Sequence, residues 1–94
     1  MFNIAVNDAG VIMLSGRLDA AQTDRAREVF AQVDSSATVD FAKLDYISSA
    51  GLGVLLATQQ RLNKNGKRMK LIHMNAMIRD VFRIARFDMI FEIE

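Results

Sequence analysis

The segment Asp45-Tyr46-Ile47-Ser48-Ser49-Ala50-Gly51-Leu52-Gly53 is the part of the chain whose residue types and spacing best suit chemistry. Two hydroxyls stand directly before a Gly-Leu-Gly element. The apolar residues that follow, Leu52, Leu55, Leu56 and Leu62, share one helical face. A helix start leaves backbone N–H groups unpaired and carries partial positive charge. An anionic phosphoryl group is tolerated there, and the glycines leave the backbone uncovered for an approaching kinase. The same residues fit a plainer role, because serine is a favoured N-cap. Local chemistry alone favours a cap at Ser48 or Ser49 over a modification site.

The other chemistry-bearing residues assemble less well. His73 is the only histidine and there is no cysteine. That closes multi-histidine and thiolate metal sites and leaves no nucleophile–base pair for an enzyme, so neither a metal nor a cofactor is expected. Asp19 suits a helix cap, and Asp40 suits backbone groups near a strand end. Gly51-Leu52-Gly53 lacks the further glycine of a nucleotide-binding loop. Arg79, Arg83 and Arg86 recur at i, i+4 and i+7 and read as a solvated helix face. Met77, Ile84 and Phe87 read as closing one end of the core or covering a second protomer, with the core role favoured. Val54 falls opposite the leucine face, where with Gly53 and Ala57 it forms either an exposed contact strip or a singly exposed valine.

The elements that must position the serines follow from periodicity. Phe2, Ile4 and Val6 alternate with polar or small residues, as in a half-buried strand. Asp8-Ala9-Gly10 reads as a turn into Val11-Ile12-Met13-Leu14, giving an opening hairpin. Asp19 caps a first helix whose apolar face is Ala26, Val29, Phe30 and Val33. A third strand covers 37–41, and 44–50 reads as a connection into the second helix. Asn63-Lys64-Asn65-Gly66 stops that helix. A fourth strand covers 69–73. Asn75 caps a third helix running to about Arg86, with Ile78, Val81, Phe82 and Ala85 buried, and 89–93 reads as a last strand. The expected architecture is α/β, in the order β-β-α-β-α-β-α-β, with a mixed sheet and helices mainly on one face.

Composition agrees with one packed domain over residues 1–94. Half the residues are apolar (51%), which suits a core and argues against disorder. The formal net charge of +1 gives no basic stripe for direct nucleic-acid binding. No apolar run reaches the length of a membrane span, and the first eight residues lack the pattern of a signal peptide, so a cytoplasmic location is expected.

The order of landmarks resembles the STAS domain family, and within it the bacterial anti-sigma factor antagonists. Gly16-Arg17-Leu18-Asp19, Val39-Asp40-Phe41 and the stretch Asp45 to Leu55 carry the resemblance, with Asn75 and Val81-Phe82 beside them. It covers essentially the full length. In that family the phospho-acceptor serine lies two positions before the first glycine of Gly-Leu-Gly, which is Ser49 here. The resemblance implies a partner-binding surface of Asp19, Ser48, Ser49, Ala50, Gly51, Gly53 and Val54. It implies an anti-sigma factor that is also a serine kinase, a sigma factor competing for it, and a PP2C-like, metal-dependent serine phosphatase that resets the switch. It also implies a monomer when free. Many members carry Asp immediately before the acceptor; this chain has Ser48, which makes Ser48 a second candidate acceptor. Two other roles found among STAS proteins remain open: an accessory subunit of an ABC-type lipid transporter, and a structural subunit of a stress-signalling assembly.

Overall fold

The computed structural model describes residues 1–94. Strands β1 (Phe2–Val6) and β2 (Ile12–Leu18) form the antiparallel hairpin, and the chain continues through α1 (Thr23–Phe30), β3 (Ala37–Ile47), α2 (Ser49–Asn63), β4 (Met69–Ile72), α3 (Ala76–Ile84) and β5 (Glu92–Ile93). At the hairpin turn the Asn7 side chain accepts from the N–H groups of Ala9 and Val11, while Gly10 takes φ +82°.

The five strands lie in chain order, and β2 through β5 are parallel. Each parallel step needs a crossover of one hand. Because every step moves the same way along the sheet, the helices cover one face. Phe2, Ile4, Leu14, Leu18, Val39, Phe41 and Leu71 point into that layer and are buried, whereas Asn3, Ala5 and Arg17 are exposed. Strand order never reverses, so the sheet lacks the switch-point crevice in which open α/β sheets bind nucleotides.

The third strand is longer than its sequence suggests. It runs to Ile47, so 44–47, expected as part of a connection, is strand. Its pairing with β2 slips twice, between Met13 and Ser15 and between Gly16 and Arg17, each time with one extra residue on β3. The buried positions consequently fall at Val39, Phe41, Leu44 and Ile47. Two bulges convert a period of two into steps of three, which hides the strand from a pattern search. Gly16, at the second bulge, has φ +81°, and a Cβ there would lie 1.9 Å from the Met1 carbonyl oxygen.

Helix α2 ends in a Schellman motif: Lys67 N–H donates to the Leu62 carbonyl, Gly66 N–H to that of Asn63, and Gly66 has φ +72°. Gln59, buried within α2, accepts from Met69 N–H at 2.9 Å and donates to the Ile90 carbonyl at 3.2 Å. That single amide joins α2, β4 and the C-terminal segment. Phe82 of α3 packs edge-on against Phe41, Phe87 and Phe91, with ring centroids 5.8–6.1 Å apart.

The C-terminal end differs from expectation. Arg86 adopts φ +63° and α3 ends at Ile84, leaving Ala85 exposed. A 3-10 turn over Phe87–Met89 occupies the start of the expected last strand, which shrinks to Glu92–Ile93. Of the three residues expected to close the core, only Phe87 packs against it; Met77 and Ile84 are 63% and 79% exposed. They stand seven residues apart, on one stripe of α3 that no element covers.

Candidate functional site

Strands β2, β3 and β4 end at the same edge of the sheet, and each hands over to a helical segment through a polar cap. Asp19 accepts from Ala21 N–H at 3.1 Å and opens a 3-10 turn that leads into α1. Asn75 accepts from Ile78 N–H at 2.8 Å and also donates to the Leu44 carbonyl, tying α3 to β3. Between them, Ser48 caps α2: its Oγ accepts from Gly51 N–H at 3.1 Å. Parallel pairing thus gathers three helical starts that the sequence separates by more than fifty residues.

The two serines divide their roles. Ser48 is half-buried, and its own N–H donates to the Leu18 carbonyl at 2.9 Å. Ser49 is exposed at the first helical position, and its hydroxyl makes no hydrogen bond within the protein. The N–H of Gly51 is taken by the cap, while those of Ser49 and Ala50 precede the first intrahelical bond, from Leu52 to Ser48. These two donors, beside the positive end of a fifteen-residue helix, suit an anion on the Ser49 oxygen. Ser48 thus takes the plainer capping role that the sequence allowed to either serine.

The two glycines also divide. A Cβ on Gly51 would lie 2.9 Å from both Ile47 Cγ1 and Leu18 Cγ. Close packing of the first turn of α2 on β2 and β3 therefore requires a glycine. A Cβ on Gly53 would meet nothing within 4 Å, and its backbone is helical. Glycine inside a helix costs about 1 kcal/mol relative to alanine. Nothing within the molecule demands that cost at Gly53.

Of the expected surface, Ser49, Ala50 and Gly53 are exposed, Asp19 and Ser48 are half-buried, and Gly51 is buried. Val54 is a correction: it is buried, with 4% exposure, and belongs to the core. The sequence reading gave α2 a single apolar face, on the sheet. The helix also packs against α1, and Val54 and Thr58 line that junction with Arg27 and Ala31. Arg61 fastens it by donating to the Phe30 carbonyl at 2.8 Å. Leu56, counted on the buried face, is only half-buried.

Two pairings went unseen in the sequence. His73 holds Asp40 at 3.2 Å from Nδ1 to Oδ1, and Asp40 also accepts from Ala42 N–H at 2.8 Å. The latter bond fits the backbone role read for Asp40. Arg17 stacks on Tyr46, with Cζ 4.3 Å from the ring centroid. Twenty-nine positions of sequence and a bulge separate the last two, so no local pattern signals them. Acidic and histidine side chains do not gather anywhere into a group that could hold a metal ion, and no helix is long and apolar enough to cross a membrane.

A mixed sheet with one helical layer defines a small α/β domain, and an exposed serine stands beside one of its capped helix starts. The chain belongs to the STAS domain family: residues 4–92 match the family described as "Mlab, STAS domain". It is 33% identical over 87 residues to the protein named "Putative anti-sigma factor antagonist BtrV" of Bordetella bronchiseptica, covering 88% of this chain and 75% of that one. Among solved structures, an anti-sigma factor antagonist from Mycobacterium paratuberculosis superposes with a TM-score of 0.82 at 18% identity, over 99% of this chain and 83% of the other. The Bacillus protein SpoIIAA superposes in its unphosphorylated form with a TM-score of 0.73 at 17% identity, over 100% and 87% of the two chains. Its phosphorylated form gives 0.72 at the same identity, over 100% and 91%. The fold is that of these proteins, and the homology is to the anti-sigma factor antagonists.

Proposed function

We propose that the protein is a phosphorylation-controlled binding switch of the anti-sigma factor antagonist type. Unphosphorylated, a monomer in the cytoplasm binds an anti-sigma factor that is also a serine kinase, and so frees a sigma factor. Phosphorylation of Ser49 releases the complex, and a PP2C-like phosphatase restores the binding form. The protein is a substrate of these partners and not itself an enzyme.

The observation that carries this reading is the division between Ser48 and Ser49. The cap is already provided by Ser48, so the Ser49 hydroxyl is exposed and unused. Modifying it removes no interaction that holds the fold. A phosphoryl group adds a charge of about −1.5 to −2. Repulsion between unit charges about 4 Å apart is worth about 4 kcal/mol at an effective dielectric near 20. A hundredfold loss of affinity needs only about 2.7 kcal/mol. A phosphate facing a partner that closes over Gly53 therefore releases it without any change of fold.

The test is intact mass after incubation with ATP and the candidate anti-sigma kinase, repeated with Ser49→Ala. One added phosphate that disappears in the variant is the expected result. Phosphate that persists in Ser49→Ala but not in Ser48→Ala moves the acceptor to Ser48.

A second reading, an accessory subunit beside a transporter ATPase, draws support from the uncovered apolar residues Met77 and Ile84 of α3. A stable complex with such an ATPase, formed by protein that no kinase phosphorylates, would favour it.

A further inference from the structure

Without the second bulge, Arg17 would follow the Gly16–Leu44 pair and face Asp45. The register instead skips Asp45 and sets Arg17 opposite Tyr46. The guanidinium then lies over the phenol ring, Cζ 4.3 Å from its centroid. Bulges commonly re-aim side chains next to functional sites, and this one lies at the strand ends that carry the switch. Leu18, the next residue, pairs with Ile47, and its carbonyl accepts the Ser48 N–H.

The charge on Arg17 is not spent within the molecule. Its guanidinium takes part in no ion pair and no hydrogen bond, although Asp19 and Asp45 are near it along the chain and across the bulge. Asp19 is used as a cap, and Asp45 is the exposed residue left over by the bulge. The N–H donors of Arg17 are therefore free, a fork that matches a carboxylate at two points. An arginine held in place before binding loses less freedom on complex formation. Arginine and tyrosine are also the residues that most often dominate protein interfaces.

We propose that Arg17, stacked on Tyr46, is a preformed anchor for an Asp or Glu side chain of the protein that docks at Ser49. This rests on the reading above only in requiring that such a docking protein exists. Arg17 makes the contact, and Tyr46 is a positioning residue. The anchor adds a fixed attractive point on the same edge where phosphorylation adds a repulsive one.

The experiment is calorimetric affinity of the unphosphorylated protein for the anti-sigma kinase and, in parallel, for the transporter ATPase. Variants are Arg17→Ala, Arg17→Lys and Tyr46→Leu. Arg17→Ala is expected to weaken the complex about thirtyfold, the size of an interface hot spot. Arg17→Lys, which keeps the charge but not the fork, should fall between it and the parent. Tyr46→Leu should weaken binding several-fold while leaving the salt dependence of affinity unchanged, because the charge remains; thermal melts of all three should match the parent. Affinity within about twofold of the parent for Arg17→Ala overturns the anchor. So does a loss seen only after Ser49 is phosphorylated, which would assign the guanidinium to the phosphate. A thirtyfold loss in a transporter ATPase complex, with no phosphate ever found on Ser49, would support the anchor and overturn the switch. No complex with either protein overturns both.

Discussion

Gly51 and Gly53 lie two residues apart in the first turns of α2 and answer to different constraints. At Gly51 the neighbours are inside the molecule: Ile47 and Leu18 crowd the space a side chain would need. At Gly53 the space is open. The serines before them repeat the division, with Ser48 turned to the backbone and Ser49 to solvent. The same short segment thus has an inward set of residues fixed by folding and an outward set that folding leaves free. An outward glycine that costs helix stability without relieving any internal crowding points to a surface used by something else.

That division can be broken from either side. The largest effect is expected from Gly51→Val, which drives methyl groups into Leu18 and Ile47; overpacking of this kind costs about 1–3 kcal/mol. Chemical denaturation would measure it, and unchanged stability would mean that the first turn of α2 does not press on the sheet. Ser48→Ala should come next. It leaves the Gly51 N–H without its cap and should cost about 1 kcal/mol, whereas Ser49→Ala should leave the melting temperature nearly unchanged. Equal losses from both would erase the distinction between cap and acceptor. The smallest effect has the opposite sign: Gly53→Ala should stabilise by about 0.5–1 kcal/mol, raising the melting temperature by a few degrees for a domain of this size. The same variant should bind the docking partner more weakly. A lowered melting temperature would show that the space over Gly53 is not open.

The helical starts were legible in the sequence because they depend on local rules. Helix starts announce themselves by cap residues, and Asp19, Ser48 and Asn75 all proved to be caps. Sequence chemistry could not choose between Ser48 and Ser49 as the cap, since either hydroxyl fits; the choice is made by the Leu18 carbonyl, which pins the Ser48 backbone. The inward set was less legible wherever it depended on a second element. Val54 was assigned to solvent because one apolar face seemed enough for α2, and the packing of α1 supplies another. Met77 and Ile84 were assigned to the core on hydrophobicity alone. Both lie on a stripe of α3 turned away from Ile78 and Phe82, the residues that enter the core.

The sequence by itself determined the order and kind of the elements, their start signals, and the pairing of Gly-Leu-Gly with two serines. These follow from side-chain periodicity and capping, which act over a few residues. Only the tertiary structure decided where β3 ends, which side of α2 meets α1, and that Arg17 lies on Tyr46. Each depends on the register between strands or on the fit of one element against another, and a single bulge shifts both without leaving a local mark in the sequence.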